Sequence, residues 1–219
     1  LDRDDIPFED IRRNMQELDF INKWLGGHKI TIKGLKKLLP AKRNVELVIA
    51  EIGCGGGDNL RVLKKYCEKE QIPASFTGID INPHCIEFAK SRKENEGIDF
   101  IASDYAKVQF ENKPDIIFTS LFCHHFTEEE LIKQFQWMRL NSATGFFIND
   151  LHRHFLAYYS IKLLTVLFSK SYLVKNDAPL SVLRGFKKKE IGRLNKVCGI
   201  ANAELKWQWA FRWLLMVRS

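Results

Sequence analysis

The sequence predicts an α/β fold in which helices alternate with the strands of a doubly wound, mostly parallel sheet. Two observations favour this fold. Five short apolar segments typical of buried strands occur between residues 45 and 150, and segments typical of helices separate them. Four glycines fall at positions 53, 55, 56 and 57, where the first strand meets the helix that follows it.

The five strands follow one another in a regular order. The first is VELVIAEI, and the later ones are SFTGIDI, IDFIAS, PDIIFTSL and ATGFFIND. The helices between them are DNLRVLKKYCEKE, PHCIEFAKSRKENE and TEEELIKQFQWMRL. Pro83 suits the first turn of its helix, with Asn82 as the cap, and Thr127 with Glu130 forms a capping-box pattern.

Both ends of the chain depart from this alternation. The first 40 residues look helical, and we expect them to lie across the edge or mouth of the sheet. After residue 150 come the apolar helix FLAYYSIKLLTVLF, a loop KNDAPLSVLRG, a helix KKKEIGRLNKVCG and two strands joined by a tight turn. The apolar helix is too short to span a bilayer, so it is expected to bury its apolar sides or to roof an apolar cavity.

The composition narrows the classes of protein. A chain of 219 residues, 45% of them hydrophobic, can form one domain with a sizeable core. The five cysteines are scattered and form no C-x-x-C pair, which favours a reducing, cytoplasmic location over a disulfide frame or a zinc cluster. Residues 1–20 do not resemble a signal peptide. The net charge of +7 suits nucleic acid, anionic lipid or an anionic cofactor.

The glycine-rich joint predicts a ligand site, because ligands of open α/β sheets bind at the carboxyl ends of the strands. Glycines there allow positive φ and close approach of the backbone to a ligand. A phosphate loop would need Lys and Ser or Thr after the last glycine, but Asp58 and Asn59 follow. A dinucleotide fingerprint that began at Gly53 would place the acid Asp58 beside a pyrophosphate, which is electrostatically unfavourable.

The pattern acid-x-Gly-x-Gly-x-Gly, from Glu51 to Gly57, resembles the first motif of the class I S-adenosylmethionine-dependent methyltransferases. The segments GID, IASDY, DIIFTSLFCHHF and GFFINDLH resemble the later motifs of the same family and occur in the same order. The resemblance covers residues 45–217. It implies a Rossmann-like sheet of seven strands, one of them antiparallel, and S-adenosyl-L-methionine as the cofactor.

The same resemblance assigns site residues. It implies that Asp80 binds the ribose hydroxyls, and Asp80 is expected to be left free for them because Asn82 caps the next helix. Asp104 would lie near the adenine amino group, although a turn role for Asp104 and a packing role for Tyr105 stay open, as does a role for Glu51 in holding the glycine loop. The expected cofactor-binding residues are Glu51, Gly53, Cys54, Gly55, Gly57, Asp80, Ile81, Asp104, Tyr105 and Leu121.

Histidines cluster where the substrate chemistry is expected. Four of the six, at positions 124, 125, 152 and 154, follow the fourth and fifth strands. An oxygen nucleophile must lose a proton, and imidazole accepts it well near neutral pH. We predict His152 and His125 as catalytic, and favour His152 because Asn149 or Asp150 could orient its ring. A structural role for each single histidine stays open, and no metal site is predicted.

The regions outside the sheet resemble those of bacterial methyltransferases associated with type III polyketide synthases. The predicted function is therefore methylation, chiefly on oxygen, of a small aromatic or lipophilic, polyketide-like or quinone-like acceptor. Residues 1–40 are predicted as a helical cap segment and 41–219 as the methyltransferase domain, with a helical insertion at 153–184. Residues 8–28 and 153–184 would cover the methyl end of the cofactor, with Gly26-Gly27 as a flexible joint.

Two other functions remain as alternatives. An RNA or protein methyltransferase would fit the positive charge, but SLFCHH stands where the amino-methylating motif Asn/Asp-Pro-Pro-Tyr/Phe would be. A catalytically silent cofactor-binding protein is the second alternative. The partners expected are a small molecule, no nucleic acid and a peripheral membrane contact, and the sequence does not indicate the oligomeric state.

Overall fold

The computed structural model of the chain describes residues 7–40, 46–169 and 171–219. Val45, the first residue of the first predicted strand, lies outside these ranges. The helices are α1 (Phe8–Trp24), α2 (Gly27–Leu38), α3 (Asp58–Lys69), α4 (Pro83–Ser91), α5 (Glu128–Asn141), α6 (Phe155–Phe168), α7 (Tyr172–Arg184) and α8 (Lys188–Val197). The strands are β1 (Leu47–Ile52), β2 (Ala74–Asp80), β3 (Asp99–Ala102), β4 (Ile116–Ser120), β5 (Gly145–Leu151), β6 (Ala203–Gln208) and β7 (Arg212–Arg218).

The strands form one seven-stranded sheet in the order β3-β2-β1-β4-β5-β7-β6. Strands β1 to β5 pair in parallel, and β7 runs antiparallel to both of its neighbours. The predicted α/β class, the mostly parallel sheet and the single antiparallel strand are confirmed. The strand order reverses between β1 and β4, and the crevice at such a reversal is where ligands bind in open α/β sheets.

Successive residues of the central strands point to opposite faces, so each face has its own buried cluster. Ile49, Phe118 and Phe147 lie on one face, where the rings of Phe118 and Phe147 stack at 4.9 Å. Ile117 and Phe146 lie on the other face with residues of α5 and α8. Because both faces are covered, the central strands read as continuous apolar runs in the sequence.

Helix α2 lies on the first of these faces rather than at the edge or mouth of the sheet, so that expectation is wrong for α2. Its residues Ile30, Leu35 and Leu38 are buried in the same cluster as the apolar side chains of β1, β4 and β5. A side chain at Gly34 would come within 2.5 Å of the Phe147 ring, so glycine lets the helix approach β5 closely. Apolar residues at helical spacing drive this burial.

The capping patterns read from the sequence are confirmed. Asn82 Oδ1 accepts a hydrogen bond of 2.9 Å from the backbone N–H of His84, at the start of α4. At the start of α5, the N–H of Thr127 donates to Glu130 Oε2 over 2.8 Å, and Thr127 Oγ1 accepts from the N–H of Glu130 over 3.4 Å.

The segment KNDAPLSVLRG is not a loop, because it forms most of α7. Ser171 caps this helix by accepting a hydrogen bond from the N–H of Val174 at 3.4 Å. Pro179 lies inside the helix and removes one donor, but it is buried with Val174 and Val182 on the same side. The buried apolar side of α7 thus outweighs the local turn signal of its sequence.

Helix α6 does not bury its apolar sides, contrary to the expectation from its sequence. Thr165 is 2% exposed, whereas Leu163 and Leu167 are 61% and 63% exposed. The helix packs on α7 through a narrow side that includes Ala157 and Thr165. Nothing in the described ranges covers its wide apolar side. Within the same ranges, every helix is too short or too polar to cross a bilayer.

Candidate functional site

The loop between β1 and α3 contains three glycines in the left-handed region, Gly53, Gly55 and Gly57, with φ of 68°, 50° and 75°. A side chain at Gly53 would come within 2.2 Å of the Phe122 ring, so the loop that follows β4 lies directly on the glycine loop. A side chain at Gly55 would meet no atom within 4 Å. The glycine loop therefore has one open side, at Gly55, where a ligand can contact the backbone.

Asp80, at the end of β2, accepts hydrogen bonds from two backbone amides, and its binding of a ligand stays a prediction. Its Oδ2 accepts a hydrogen bond of 2.8 Å from the N–H of Gly55, and its Oδ1 accepts one of 2.9 Å from the N–H of Asn82. Each carboxylate oxygen has a further lone pair, so the two backbone bonds do not prevent it from accepting from ribose hydroxyls. The neighbouring Ile81 is 72% exposed and gives the same edge an apolar surface.

Glu51 lies fully buried at the end of β1, beneath the glycine loop. Its Oε1 accepts a hydrogen bond of 3.2 Å from Asn59 Nδ2, and its Oε2 has no hydrogen-bond partner among the described residues. Burial raises the pKa of Glu51 well above its usual value, and the nearby charge of Asp58 adds to this. A carboxyl group in this condition is stabilised by a cationic ligand.

Cys54 belongs to the loop but its thiol faces inward. The side chain is 3% exposed, and its Sγ would lie 2.8 Å from a side chain placed at Gly78 of β2. Burial raises the pKa of the thiol well above its usual value, so it stays protonated and packs as an apolar group.

Asp104 and Tyr105 follow β3 and have local partners. Asp104 Oδ1 accepts a hydrogen bond of 3.0 Å from the N–H of Ala106, as a cap of the short turn there. The ring of Tyr105 lies edge-on to Trp137 of α5 at 5.0 Å, and burial raises its pKa. These contacts correspond to the turn and packing roles left open above, and the cofactor contacts of both residues stay predictions.

Leu121 follows β4 and has an unusual backbone. Its φ is 54°, in the left-handed region that residues other than glycine rarely adopt. Its N–H donates a hydrogen bond of 2.9 Å to the carbonyl of Asn149 in β5. Strained backbone of this kind concentrates at functional sites, and here it lies beside the glycine loop, at the crevice between β1 and β4.

A buried, hydrogen-bonded pair of a histidine and an aspartate follows β4 and β5. His124 Nδ1 and Asp150 Oδ1 are 2.7 Å apart, and both side chains are 2% exposed. Burial acts to raise the pKa of Asp150, but the charge of His124 and the hydrogen bonds to the carboxylate outweigh it, so this pKa lies below its usual value. The ionised Asp150 accepts from Nδ1–H, and Nε2 has no hydrogen-bond partner within the described ranges. In the neutral form of the ring, with its proton on Nδ1, Nε2 is an acceptor, whereas in the charged form both ring nitrogens are donors.

The reason for favouring His152 is wrong, since Asp150 holds His124 instead. Asn149 is also engaged elsewhere. His152 Nδ1 accepts a hydrogen bond of 3.2 Å from Trp207 Nε1, and burial together with His154 lowers the pKa of His152. His125 is exposed, with its ring 4.3 Å from that of His124. The catalytic roles of His152 and His125 stay predictions.

A buried hydrogen-bond chain connects the glycine loop to β4 and β5 through α2. Asn59 Nδ2 donates to Glu51, and Asn59 Oδ1 accepts from Thr31 Oγ1 at 3.2 Å. Asn149 Nδ2 lies 3.1 Å from Thr31 Oγ1 and 3.3 Å from Ser120 Oγ. No local signal in the sequence indicates this chain of hydrogen bonds, because its members come from five separate elements.

Helix α1 covers the glycine loop from outside the sheet. Ile11 and Met15 form a buried cluster with Cys85 and Phe88 of α4. The Met15 sulfur would lie 3.6 Å from a side chain placed at Gly56. Glu17, near the middle of α1, accepts hydrogen bonds from the α6–α7 turn. Helix α1 thus contacts both the expected cofactor side and the expected insertion.

Three side chains connect α1, α2 and α3 at the same place. The ligand atoms of Asp19, His28 and Asp58 lie within 4.8 Å of one another, a geometry that could hold a metal ion. His28 Nε2 lies 2.9 Å from Asp58 Oδ2, and the Arg61 guanidinium lies 2.8 Å from Asp19 Oδ2. Asp19 and Asp58 therefore already have cationic or hydrogen-bonding partners. The contacts among the three side chains hold α1 over the glycine loop.

Residues 49–141 match the family described as "Methyltransferase domain". A phthiotriol/phenolphthiotriol dimycocerosates methyltransferase of Mycobacterium leprae is 32% identical over 65 residues, which is 30% of this chain and 23% of the relative. A malonyl-[acyl-carrier protein] O-methyltransferase of Priestia megaterium is 32% identical over 99 residues, which is 42% of this chain and 34% of that protein. The matches thus span about a quarter to a third of the length of these curated relatives.

Solved structures share the fold at low identity. The plantazolicin methyltransferase in complex with a monoazolic desmethylPZN analog and SAH has a TM-score of 0.68 at 17% identity, over 97% of this chain and 89% of that one. Human N-acetylserotonin methyltransferase in complex with SAM has a TM-score of 0.67 at 16% identity, over 97% of this chain and 56% of that one. Residues 49–141 therefore match a methyltransferase domain, and the chain has the fold of solved S-adenosylmethionine-dependent methyltransferases.

Proposed function

We propose that this chain transfers a methyl group from S-adenosyl-L-methionine to an oxygen of a small, lipophilic acceptor, with His124 as the general base. The observation that carries the proposal is the buried pair of His124 and Asp150, whose unpartnered Nε2 belongs to the loop after β4. That loop contacts the glycine loop through Phe122.

The residues of the glycine loop suit this cofactor, which supplies a methyl group on a sulfonium centre. The open side at Gly55 admits close approach of a ligand to the backbone. Asp80 is a carboxylate at the end of β2 with lone pairs for two hydroxyl groups. The buried Glu51, with one oxygen unpartnered among the described residues, favours a ligand with cationic groups and disfavours a phosphate.

The proposed base is His124, whose ring is held in place by Asp150. Nε2 of His124 takes the proton from the acceptor hydroxyl, and Asp150 holds the ring through Nδ1 and stabilises the imidazolium that forms. Helix α7 packs against the turn that contains His124. We therefore expect the acceptor to enter beside α7, which would exclude water from the reacting atoms.

Two of the relatives favour a lipophilic acceptor and attack by oxygen, since one is a dimycocerosates methyltransferase and the other an O-methyltransferase. An aromatic polyketide or a quinone is the finer part of this proposal, and it rests on the resemblance of the regions outside the sheet. The five cysteines are free and buried, in keeping with the expected cytoplasmic location.

Mass spectrometry of candidate phenols, quinones and acyl-carrier substrates tests the proposal, since a product should gain one methyl group. His124→Gln, which keeps a polar group in the buried position, should lose at least about a hundredfold in turnover while it still binds the cofactor. His125→Ala and His152→Ala test the two histidines predicted from the sequence, and both variants keep turnover close to wild type if His124 is the base. If His152→Ala is inactive and His124→Gln is active, then the base is His152 and this assignment is wrong.

A further inference from the structure

The outer side of α6 is an apolar surface that lacks a partner in the described parts of the chain. Leu156, Tyr159, Leu163 and Val166 follow one another at helical spacing and are between 50% and 64% exposed. Monomeric proteins rarely expose contiguous apolar patches of this kind without an interaction to make. We call this side of the helix the α6 face.

Exposed aromatic rings extend the α6 face at its N-terminal end. Phe155 stacks on His154 at 4.8 Å, and His154 stacks on Phe211 at 5.1 Å. Trp209, at the turn between β6 and β7, lies 6.2 Å from the Phe211 ring and is 70% exposed. Tryptophan is enriched where proteins meet the boundary between lipid and water.

The charge around the α6 face is strongly asymmetric. Residues 153–189 contain eight lysines and arginines and one acid, a net charge of +7, which equals the formal net charge of the whole chain. Lys162, Lys175 and Arg184 of α6 and α7 are exposed. The remainder of the sequence is thus neutral overall, and the positive charge is concentrated in the segment that carries the apolar surface.

We propose that the α6 face docks this protein on the surface of an anionic lipid bilayer. An exposed apolar helix side flanked by basic residues is the pattern of helices that lie in the plane of the interface. The leucine and tyrosine side chains would enter the acyl boundary, and the lysines and arginines would contact lipid phosphates.

The charge distribution disfavours a second copy of the chain as the occupant. A symmetric dimer through the α6 face would bring together two segments of +7 each. The inference concerns attachment only and holds whether or not the chain transfers methyl groups. A docked α6 would also place the cap region next to the bilayer, from which a lipophilic molecule could enter.

Sedimentation of the whole chain with vesicles tests the inference. Binding to vesicles of phosphatidylcholine with phosphatidylglycerol should exceed binding to vesicles of phosphatidylcholine alone, and salt should weaken it. The double variant Leu163→Glu/Leu167→Glu should bind the anionic vesicles at least about tenfold less well, because each leucine loses its burial in lipid. Leu140→Glu of α5, at a position 73% exposed, is the matched control and should bind like wild type.

A second pair of variants addresses the charge. Lys162→Glu/Lys175→Glu should reduce binding to anionic vesicles, whereas Lys133→Glu of α5 should reduce it much less. Circular dichroism should show all variants folded, since every changed residue is exposed. The inference is wrong if wild type ignores anionic vesicles, or if Leu163→Glu/Leu167→Glu binds them like Leu140→Glu. It is equally wrong if the double leucine variant only dissolves a dimer.

Discussion

Gly55→Ala, compared with a control variant of equal backbone strain, tests whether the glycine loop binds the cofactor. Gly55 has φ of 50°, and a methyl group there meets no atom within 4 Å, so the substitution causes no clash in the ligand-free protein. Gly26, between α1 and α2, has φ of 78° and equally open surroundings. Gly26→Ala is therefore a control with the same kind of backbone strain outside the proposed cofactor site.

The expected loss of folding stability in both variants can be worked out from the backbone conformation. Alanine in the left-handed region costs roughly 1–2 kcal/mol, and the reduced entropy of the unfolded chain returns about 0.4–1 kcal/mol. A net loss of about 1 kcal/mol lowers the Tm by about 2–4 °C for a chain of this length. We expect both variants to show this loss in the absence of ligand.

The two variants should differ when S-adenosylmethionine or its demethylated product is added. A ligand at about a hundredfold excess over its Kd stabilises the folded state by about 2.7 kcal/mol, which raises the Tm of wild type by about 5–11 °C. Gly26→Ala should keep this rise, and Gly55→Ala should lose most of it because the methyl group occupies the open side of the loop. Thermal melts with and without ligand measure the effect. Equal rises in the two variants would show that the ligand does not contact the backbone at Gly55.

Three further predictions concern the polar residues of the site. Because the pKa of Glu51 is raised in the folded state, that state binds protons more tightly than the unfolded chain, and stability is lost as the pH rises above about 4.5. Glu51→Gln should therefore raise the Tm more at about pH 8 than at about pH 5, and an equal rise at both would contradict the buried carboxyl. Asp80→Ala removes the acceptor of the Gly55 and Asn82 amides and should cost about 2–4 kcal/mol in the free energy of unfolding by denaturant, with a higher Kd for the cofactor by calorimetry. Asp150→Asn should lower turnover by roughly a hundredfold with little change in that Kd, whereas normal turnover would exclude the pair from catalysis.

Local sequence patterns were sufficient to predict most of the strands and helices. The strands β1, β4 and β5 are continuous apolar runs, and the caps at Asn82 and Thr127 need only near neighbours, so both were predictable. Helix α7 was not, since Pro179 and the Asn-Asp pair before it signal a turn, and only packing against the rest of the protein overrides that signal.

The candidate site was predictable only in part. The glycine loop and Asp80 follow from motif spacing, but the partner of each histidine does not. His124 and Asp150 are 26 residues apart and meet only because β4 and β5 are paired. The exposed side of α6 was also missed, because a sequence of apolar residues does not reveal whether the protein itself or another surface buries them.

The hydrogen-bond chain through Thr31 sets the boundary of the folding unit. The match to the methyltransferase family begins at residue 49, yet Asn59 and Asn149 find their partner on α2, ahead of β1. A fragment that starts after residue 38 removes the Thr31 partner of both amides and exposes the face of β5 that α2 covers. A fragment that starts near residue 26 keeps this chain of hydrogen bonds but loses the cover over the glycine loop and the contacts of Asp19 and Glu17. We therefore expect the smallest fragment that folds to include α2.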